Sequence, residues 1–405
     1  MTSGARPVKT RIAPSPTGDP HVGTAYQALF NYVFAKQNGG NFIVRIEDTD
    51  RGRYQAESER RILEMIDWIG LSPDESPLAG GPGAPYVQSE RAELHQQHAR
   101  ILLERGAAYR SFETPEELER MREENRARGI QGAGYDRRYR DLTPEESQAR
   151  ADRGDPFVVR LKVPASGETV VHDRLRGPVA FKNEDLDDKV LLKSDGFPTY
   201  HLAAMVDDHL MGVTHVIRAE EWLTSTPTHV HIIEGFGWQQ PEWIHTPLLR
   251  NPDKSKLSKR KMDTSVDSYR AQGILPEALL NYLGMMGWSM PDGREVFTVQ
   301  DMIEHFRWDR VSLGGPVFDL EKLKWLNGKY IREVLPPHVL AERAVPFLRA
   351  AGLDASDLEL VTGVVTALRE RFKTLGELPD LARYFFSDDY PTDEKAARKL
   401  DEGRD

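Results

Sequence analysis

Residues 11–25 read R-I-A-P-S-P-T-G-D-P-H-V-G-T-A, and this stretch decides how the N-terminal part folds. The apolar residues that follow recur at helix spacing and share one face: they are Tyr26, Leu29, Phe30, Val33 and Phe34. Gly39 and Gly40 are typical of the end of that helix, and residues 41–46 (N-F-I-V-R-I) are typical of a buried strand. This order of strand, Pro/Gly-rich turn, helix and strand predicts a parallel pair with a right-handed crossover.

The turn between the first strand and the helix suits a phosphate group. His21, Val22 and Gly23 fall where the helix begins, and a helix start offers free N–H groups and a partial positive charge. The imidazole of His21 can donate a hydrogen bond to a phosphate oxygen, and Gly23 leaves room for a flat ring against the backbone. The tripeptide alone is more typical of an ordinary loop-to-helix junction, so this interpretation depends on the whole stretch.

The composition bounds the kind of protein. A chain of 405 residues is long enough for two to four domains, and the lack of cysteine excludes disulfides, thiolate zinc sites and a cysteine nucleophile. The net charge of −10 argues against non-specific binding to polyanions, although arginine-rich segments at 120–140 and 366–373 leave local contacts open. No apolar run has membrane-spanning length and residues 1–9 do not resemble a signal peptide, so we expect a cytoplasmic protein with no membrane partner.

Three charged residues are expected at the carboxyl ends of predicted strands, where open α/β sheets collect their ligands: Arg11, Glu47 and Arg218. Such charges are costly to bury without partners. An amino acid with two carboxylates and one ammonium group would satisfy all three, with bidentate pairing to the arginines. An internal Arg–Glu pair that only joins strands explains the same residues equally well.

A second motif follows a predicted strand that ends near Leu249. Residues 256–260 read K-L-S-K-R, and two lysines three positions apart on a flexible loop can close over a triphosphate. There they would neutralise charge that grows in a transition state. The motif alone is weak, because lysine-rich loops are usually only solvated.

The two motifs together resemble the signatures of class I aminoacyl-tRNA synthetases in the form carried by glutamyl enzymes. Residues 21–24 (H-V-G-T) stand where the family has His-Ile-Gly-His, and residues 256–260 stand where it has Lys-Met-Ser-Lys-Ser. The resemblance runs from about residue 9 to 400. It implies an α/β fold with a Rossmann-type catalytic domain, an α+β insertion, a stem-contact domain and a truncated all-helical anticodon-binding domain.

The resemblance also implies the domain limits and the site residues. The domains are 7–85 with 191–245 (catalytic), 86–190 (acceptor-binding insertion), 246–335 (stem contact), 336–392 (helical anticodon subdomain) and 393–405 (remnant of a further subdomain). Glutamate is expected against Arg11, Ala13, Ser15, Glu47, Tyr200 and Arg218. ATP is expected against Ala13, His21, Gly23, Glu221, Trp222, Leu249, Lys256 and Lys259, of which His21, Lys256 and Lys259 are catalytic.

Two further positions follow from the resemblance. Arg371 matches a position linked to reading the third anticodon base, although a surface helix cation is an equally simple interpretation. A related pattern has Asn four residues after the pocket tyrosine, where this chain has Ala204. That contact is therefore missing or replaced by water. Within the insertion, residues 157–163 and 169–181 alternate like the strands of one small antiparallel sheet.

The implied activity is ATP-dependent ligation of L-glutamate to the 3′-terminal ribose of tRNA(Glu) through a glutamyl-adenylate. ATP would carry Mg²⁺, and we expect no protein-bound zinc and a monomer. A glutaminyl ligase is one alternative, but its β-barrel anticodon region disagrees with the helical pattern after residue 336. A shortened paralogue that modifies a tRNA base would lack residues 246–392. A non-catalytic tRNA-binding protein would not need the catalytic set His21, Lys256 and Lys259 together with Glu47 and Arg218.

Overall fold

The computed structural model describes residues 6–50, 52–129, 135–258 and 263–387. It contains the predicted unit as strand β1 (Lys9–Ile12), helix α1 (Val22–Gln37) and strand β2 (Asn41–Val44). The two strands are parallel, with Lys9 opposite Asn41. Helix α1 is buried along most of its length because its apolar side chains face the sheet on one side and later helices on the other. Residues 393–405, expected to be a remnant of a further subdomain, lie outside the described residues.

Four more strands form a mixed sheet, in which β6 is antiparallel to β5: β5 (Glu168–Asp173), β6 (Gly177–Lys182), β8 (His215–Ala219) and β9 (Glu242–Thr246). Strands β8 and β9 are parallel, and β5 joins β9 in parallel where Asp173 lies opposite Trp243. The backbone N–H of Thr214 donates to the carbonyl oxygen of Lys9 over 2.9 Å, which places β1 beside β8. The carboxyl ends of β1 and β8 therefore meet at one edge.

The insertion contains its own three-stranded antiparallel sheet. Its elements are α3 (Ala92–Glu104), β3 (Ala108–Ser111), α4 (Pro115–Ala127), α5 (Pro144–Asp152), β4 (Val158–Leu161) and β7 (Val190–Leu192). The strand order is β3-β4-β7. Both α4 and α5 begin at a threonine whose side chain completes a capping box, as the T-P-E-E sequences at 114–117 and 143–146 predict.

One expectation for the insertion is wrong. Residues 157–163 and 169–181 do not share a sheet, because β4 pairs with β3 and β7 whereas the β5–β6 hairpin extends the catalytic sheet at β9. Alternation along a strand shows that one face is buried, but it does not select the neighbouring strand. The proposed domain limits remain predictions.

Helices make up most of the remaining described chain: α2 (Ala56–Trp68), α6 (Tyr200–Leu210), α7 (Thr226–Gly235), α8 (Val266–Ala271), α9 (Pro276–Gly284), α10 (Val299–His305), α11 (Leu320–Lys329), α12 (Pro337–Ala350), α13 (Leu358–Leu368) and α14 (Leu378–Phe386). One apolar cluster runs from α1 through α9 and α11 to the last three helices. A second cluster packs the insertion against α6 and α7. No helix within the described ranges combines the length and the apolar composition that crossing a membrane requires.

Candidate active site

A cavity of about 810 Å³ opens at the carboxyl ends of β1 and β8. Every predicted glutamate or ATP residue that the structure describes lines this one cavity: Arg11, Ala13, Ser15, His21, Gly23, Glu47, Tyr200, Arg218, Glu221, Trp222, Leu249 and Lys256. Lys259 lies outside the described residues. The two sequence motifs, which are more than 200 positions apart, are therefore neighbours in space.

The segment that carries K-L-S-K-R is fixed to the cavity at both ends. At the start of the motif, the N–H of Leu257 donates to the carbonyl oxygen of Leu249 over 3.0 Å. After it, the carbonyl oxygen of Thr264 accepts from the N–H of Val22, at the first residue of α1, over 2.8 Å. These bonds tie Leu257 to the cavity wall and Thr264 to the His21 turn.

His21 is the N-cap of α1. Its Nδ1 accepts a hydrogen bond from the N–H of Gly23 over 2.9 Å, so the ring proton of the neutral imidazole lies on Nε2. Nε2–H is then the hydrogen-bond donor of the ring. The phosphate contact of His21 remains a prediction.

The expectation that the helix start offers free N–H groups is wrong. The N–H of Val22 is bonded to Thr264, that of Gly23 to His21 Nδ1, and that of Thr24 to the carbonyl oxygen of His21 over 2.7 Å. The structure shows a further reason for glycine at position 23. An added Cβ would lie 2.9 Å from His21 Nδ1, so the histidine cap favours the small residue, and the room for a ligand ring remains a prediction.

Arg11 and Glu47 already have partners within the protein. Nε of Arg11 lies 3.1 Å from Oδ1 of Asp208, and Nη1 of Arg45 lies 2.7 Å from the same oxygen. Nη2 of Arg45 also donates to Glu47 Oε1 over 2.9 Å. Burial tends to raise the pKa of Asp208, but the guanidiniums of Arg11 and Arg45 lower it overall. Burial raises the pKa of Glu47, and Arg45 opposes that shift. Arg11 and Glu47 are therefore compensated within the protein, as the alternative of an internal Arg–Glu pair allows, and their contact with a substrate remains a prediction.

Arg218 differs because none of its described partners carries a negative charge. Its Nε donates to Nε2 of His245 over 3.0 Å, its Nη1 to Nδ1 of His229 over 3.2 Å, and its Nη2 to Oγ1 of Thr226 over 2.8 Å. Burial lowers the pKa of Arg218 to about 10, which still leaves it protonated at neutral pH. It is a buried cation that lacks a carboxylate among the described residues.

Bidentate binding of a carboxylate by Arg218, as predicted, requires one existing contact to break. Nη2 also contacts the carbonyl oxygen of Trp222 over a long 3.4 Å, so one N–H of Nη1 remains without a partner in the described part of the chain. A carboxylate that takes both Nη atoms would have to replace the Trp222 contact.

Helix α6 supplies one face to the cavity. Tyr200, Ala204 and Asp208 are four residues apart and so lie on one side of the helix. The Tyr200 hydroxyl is buried beside the Ser225 side chain. Ala204, which stands where the related pattern has asparagine, is 3 % exposed and lines the cavity.

Sequence reasoning missed several residues that hold the site. Asp208, His229 and His245 received no site role, and neither did Arg45, whose side chain is fully buried. The eight-residue separation of Tyr200 and Asp208, two steps of four along α6, was a usable signal for Asp208. No pattern along the chain indicated a role for the two histidines, because that role depends on their contact with Arg218 in the folded protein.

Three of the predicted ATP residues, Glu221, Trp222 and Lys256, are exposed to solvent where they line the cavity. The Lys256 ammonium group forms a hydrogen-bonded ion pair with Glu221. The ring of Trp222 packs against Tyr200 with centroids 5.1 Å apart, and Leu249 is buried in the wall. Because Lys256 and Glu221 are both partly exposed, their pair contributes only about 0–1 kcal/mol and can be exchanged for a ligand phosphate.

A second cavity of about 850 Å³ lies in the insertion and adjoins the first at Thr199 and Tyr200. Four cations line it: Arg122, Arg126, Arg160 and Lys189. Other arginines of the 120–140 segment are committed elsewhere: Arg140 binds the fully buried Asp188 over 2.7 Å, with Arg137 beside it.

Arg371 is exposed and lies in the turn after α13, with its N–H donating to the carbonyl oxygen of Leu368 over 2.7 Å. The simple interpretation as a helix cation is therefore wrong, because the helix ends three residues earlier. Its proposed contact with an anticodon base remains a prediction.

Across the described ranges, no group of three or more histidine, aspartate or glutamate side chains is arranged to hold a metal ion.

A parallel sheet whose strand ends combine a histidine-capped turn and a lysine loop around one cavity defines a class I aminoacyl-tRNA synthetase. The comparisons agree: residues 7–325 match the sequence model of the catalytic domain of class I tRNA synthetases (E and Q), and residues 339–404 match that of an anticodon-binding domain. The chain belongs to the glutamate–tRNA ligases of this class.

That assignment depends on close relatives. The chain is 62 % identical over 396 residues to the glutamate–tRNA ligase of Thermus thermophilus, covering 98 % of this chain and 83 % of the relative. It is 53 % identical to the enzyme of Deinococcus radiodurans, covering 100 % of this chain and 84 % of that one. A crystal structure of a glutamate tRNA ligase from Elizabethkingia meningosepticum, in complex with its amino acid, matches with a TM-score of 0.88 and 39 % identity, over 97 % of this chain and 83 % of that chain.

Proposed function

We propose that this chain, a glutamate–tRNA ligase by family, activates L-glutamate in the 810 Å³ cavity and transfers it to tRNA(Glu). The observation that carries the residue assignments is the single cavity that holds Arg218, His21 and the start of the lysine loop. Neither a glutaminyl enzyme nor a non-catalytic tRNA-binding protein is favoured by any relative reported above.

The charges of the cavity favour glutamate over glutamine. Around Arg218, three guanidiniums, on Arg11, Arg45 and Arg218 itself, accompany two carboxylates, on Glu47 and Asp208, which leaves one positive charge at Arg218. Glutamate carries one net negative charge at neutral pH, whereas glutamine carries none. Binding glutamate with its side-chain carboxylate on Arg218 therefore neutralises the site, and glutamine would leave a buried charge uncompensated. Glu47 lies where it can receive the ammonium group.

In the first step the α-carboxylate of glutamate attacks the α-phosphorus of ATP, and pyrophosphate leaves. The carboxylate is already ionised at neutral pH, so no general base is needed. The protein contributes positioning and charge neutralisation. His21 Nε2–H donates to a phosphate oxygen, while Lys256 and Lys259 stabilise the departing pyrophosphate. Glu221, Trp222 and Leu249 surround the nucleoside, and Mg²⁺ enters with ATP.

In the second step the terminal 2′-hydroxyl of tRNA attacks the carbonyl carbon of the adenylate, and AMP leaves. The second cavity, with Arg122, Arg126, Arg160 and Lys189 around it, supplies positive charge for the phosphates of the incoming strand end. It adjoins the active cavity at Tyr200, so a strand end held there can reach the adenylate. We propose a cytoplasmic monomer as the working form.

The direct test is charging of purified tRNA(Glu) and tRNA(Gln) with labelled glutamate or glutamine. We expect glutamate, and not glutamine, to become attached. Attachment of glutamine, or of neither amino acid, would refute the proposed pocket. Comparing the two tRNAs also shows whether the enzyme discriminates between them.

The role of the lysine loop is tested by Lys259→Ala. Loss of one transition-state donor should lower tRNA-dependent ATP–pyrophosphate exchange by a factor of about a hundred or more. Lys254→Asn serves as the control, because Lys254 lies in the same loop with a φ of 65°, which asparagine tolerates. Unchanged exchange in Lys259→Ala would remove this lysine from the mechanism.

A further inference from the structure

The guanidinium of Arg218 is held by two buried imidazoles. Its Nε–H points to His245 Nε2 and its Nη1–H to His229 Nδ1, at 3.0 and 3.2 Å. A guanidinium has only donors, so each facing ring nitrogen must carry a lone pair. The side chains of His229 and His245 are both 0 % exposed, and no solvent competes for these bonds.

These contacts fix the tautomers of both rings. With a lone pair on Nε2, neutral His245 must carry its proton on Nδ1, and that atom lies 2.7 Å from Oδ2 of Asp173. The same carboxylate oxygen accepts the backbone N–H of His245 over 2.9 Å, and Oδ1 accepts the backbone N–H groups of Leu175 and Arg176 over 3.0 Å each. Asp173 is thus fixed in place and dictates which nitrogen of His245 faces Arg218.

The His229 ring connects Arg218 to α6 through His201. With a lone pair on Nδ1, His229 carries its proton on Nε2, which lies 3.1 Å from Nδ1 of His201. His201 lines the second cavity and directly follows Tyr200, which lines both cavities. The Arg218 guanidinium is consequently held on three sides, by His245, His229 and Thr226.

We propose that His245 and His229 are positioning residues for glutamate recognition: their unprotonated nitrogens direct the Arg218 guanidinium at the substrate carboxylate, and Asp173 fixes the required tautomer of His245. Neutral partners hold the arginine without neutralising it. A carboxylate in the place of either imidazole would compete with the substrate for the charge of Arg218. This inference deepens the proposed function, since it assumes that Arg218 receives the side chain of glutamate.

The electrostatic surroundings support neutral imidazoles. Burial, together with nearby cations, lowers the pKa of His201 to about 4 and that of His229 well below its ordinary value. Burial likewise lowers the pKa of His245 to about 4, although the Asp173 carboxylate opposes the shift. The other charged groups that face these rings are Arg218, Lys189, Arg176 and Arg11. All four disfavour an imidazolium.

The first test determines the tautomer of His245 directly, by ¹⁵N NMR. The full chain is labelled with ¹⁵N-histidine, and the His245 signals are assigned by their loss in His245→Gln. We expect a neutral ring protonated at Nδ1 that stays neutral down to pH 5. An Nε2-protonated ring, or an imidazolium at pH 7, would overturn the proposal. This measurement does not depend on any activity of the protein.

The second test separates a polar role from a packing role. In tRNA-dependent ATP–pyrophosphate exchange, His245→Leu should raise the KM for glutamate about tenfold or more, the loss expected when a buried hydrogen bond to a charged group is removed. The KM for ATP should stay within about twofold. His245→Gln, whose side-chain oxygen can replace Nε2, should recover most of the loss. His172→Leu is the matched control, because His172 is exposed on the same strand as Asp173.

Two outcomes would overturn the proposal: equal KM changes in His245→Leu and His245→Gln, or a parallel rise of the KM for ATP. Thermal unfolding shows whether each variant is folded. If His245→Leu does not fold, the pair His229→Leu and His229→Asn replaces it, since the asparagine oxygen can stand in for Nδ1. A wild-type protein without glutamate-dependent exchange would refute the proposed function, whereas the tautomer measurement would still decide the arrangement around Arg218.

Discussion

At the scale of single residues, the arginines of this site fall into two kinds, those paired with carboxylates and one held by neutral groups. Arg11 and Arg45 are neutralised by Asp208 and Glu47 and join the walls of the cavity, while Arg218 is held by neutral groups and keeps its positive charge. The number of arginines in the cavity therefore does not indicate how many of them can bind a substrate. The charge of their partners decides which of them can recognise a substrate.

The His21 cap gives a prediction at this scale. In Gly23→Ala the new Cβ would come within 2.9 Å of His21 Nδ1 and break the cap. We expect the free energy of unfolding to fall by about 1 kcal/mol, the usual cost of a lost N-cap, and the KM for ATP to rise because the imidazole is displaced. Urea unfolding and pyrophosphate exchange measure the two effects.

Gly363→Ala is the matched control for Gly23→Ala. Gly363 is an exposed residue inside α13, and no atom lies within 4 Å of the position of an added Cβ. Alanine should raise the free energy of unfolding by about 0.5–1 kcal/mol through its higher helix propensity, with no change in activity. If both variants behaved alike, the contact between His21 and Gly23 would have no special importance.

At the scale of elements, three strands of the catalytic sheet are joined by one carboxylate. Glu242, at the start of β9, is paired with Arg174, just after β5, and with His215, at the start of β8, over 3.3 Å. The hydrogen bond from His215, followed by that from Arg174, lowers the pKa of Glu242 to about 2. An isolated glutamate has a pKa of about 4.3.

This shift predicts a pH dependence of stability. Because the folded state lowers the pKa of Glu242, its stabilising effect is present above about pH 4.3 and is lost as the pH falls towards 2. Glu242→Gln should therefore be less stable than wild type at pH 7, and the two should converge by about pH 2. Urea unfolding at pH 7, 4 and 2.5 tests this. A difference that stays constant over that range would contradict the assignment.

At the scale of the whole molecule, one buried amide helps to join the helical C-terminal part to α11 and the start of α9. Oδ1 of Asn327, in α11, accepts the N–H of Leu275 over 2.8 Å, and its Nδ2 donates to the carbonyl oxygen of Lys373 over 2.6 Å. Lys373 lies in the turn after α13 that also contains Arg371. The position of that turn therefore depends on a residue about 45 positions earlier.

Asn327→Leu tests this connection. The substitution leaves the Leu275 N–H and the Lys373 carbonyl without a partner, and each buried unsatisfied group costs about 1–3 kcal/mol. We expect a clearly lower melting temperature and faster proteolysis in the turn at 369–377. Gln300→Leu, which removes only an exposed hydrogen bond to Glu304, should do neither. Equal protease resistance of the two variants would show that other contacts fix the turn.

The sequence by itself determined the class of this protein and the outline of its site. The period of apolar residues predicted α1, and the T-P-E-E sequences predicted two helix starts. The family resemblance carried by two short motifs implied the helical C-terminal region and the residues that share a cavity. These features are local, because periodicity, capping and turn chemistry depend on residues within a few positions of each other.

Only the tertiary structure decided the partners of the buried charges and the neighbours of the strands. Arg11 meets Asp208 across 197 positions, Arg218 meets His245 across 27, and the β5–β6 hairpin joins β9 rather than β4. The physical reason is that a buried polar group must find a partner wherever the fold places one, and its sequence distance does not constrain the choice. The positive charge that remains at Arg218 is accordingly a property of the folded molecule.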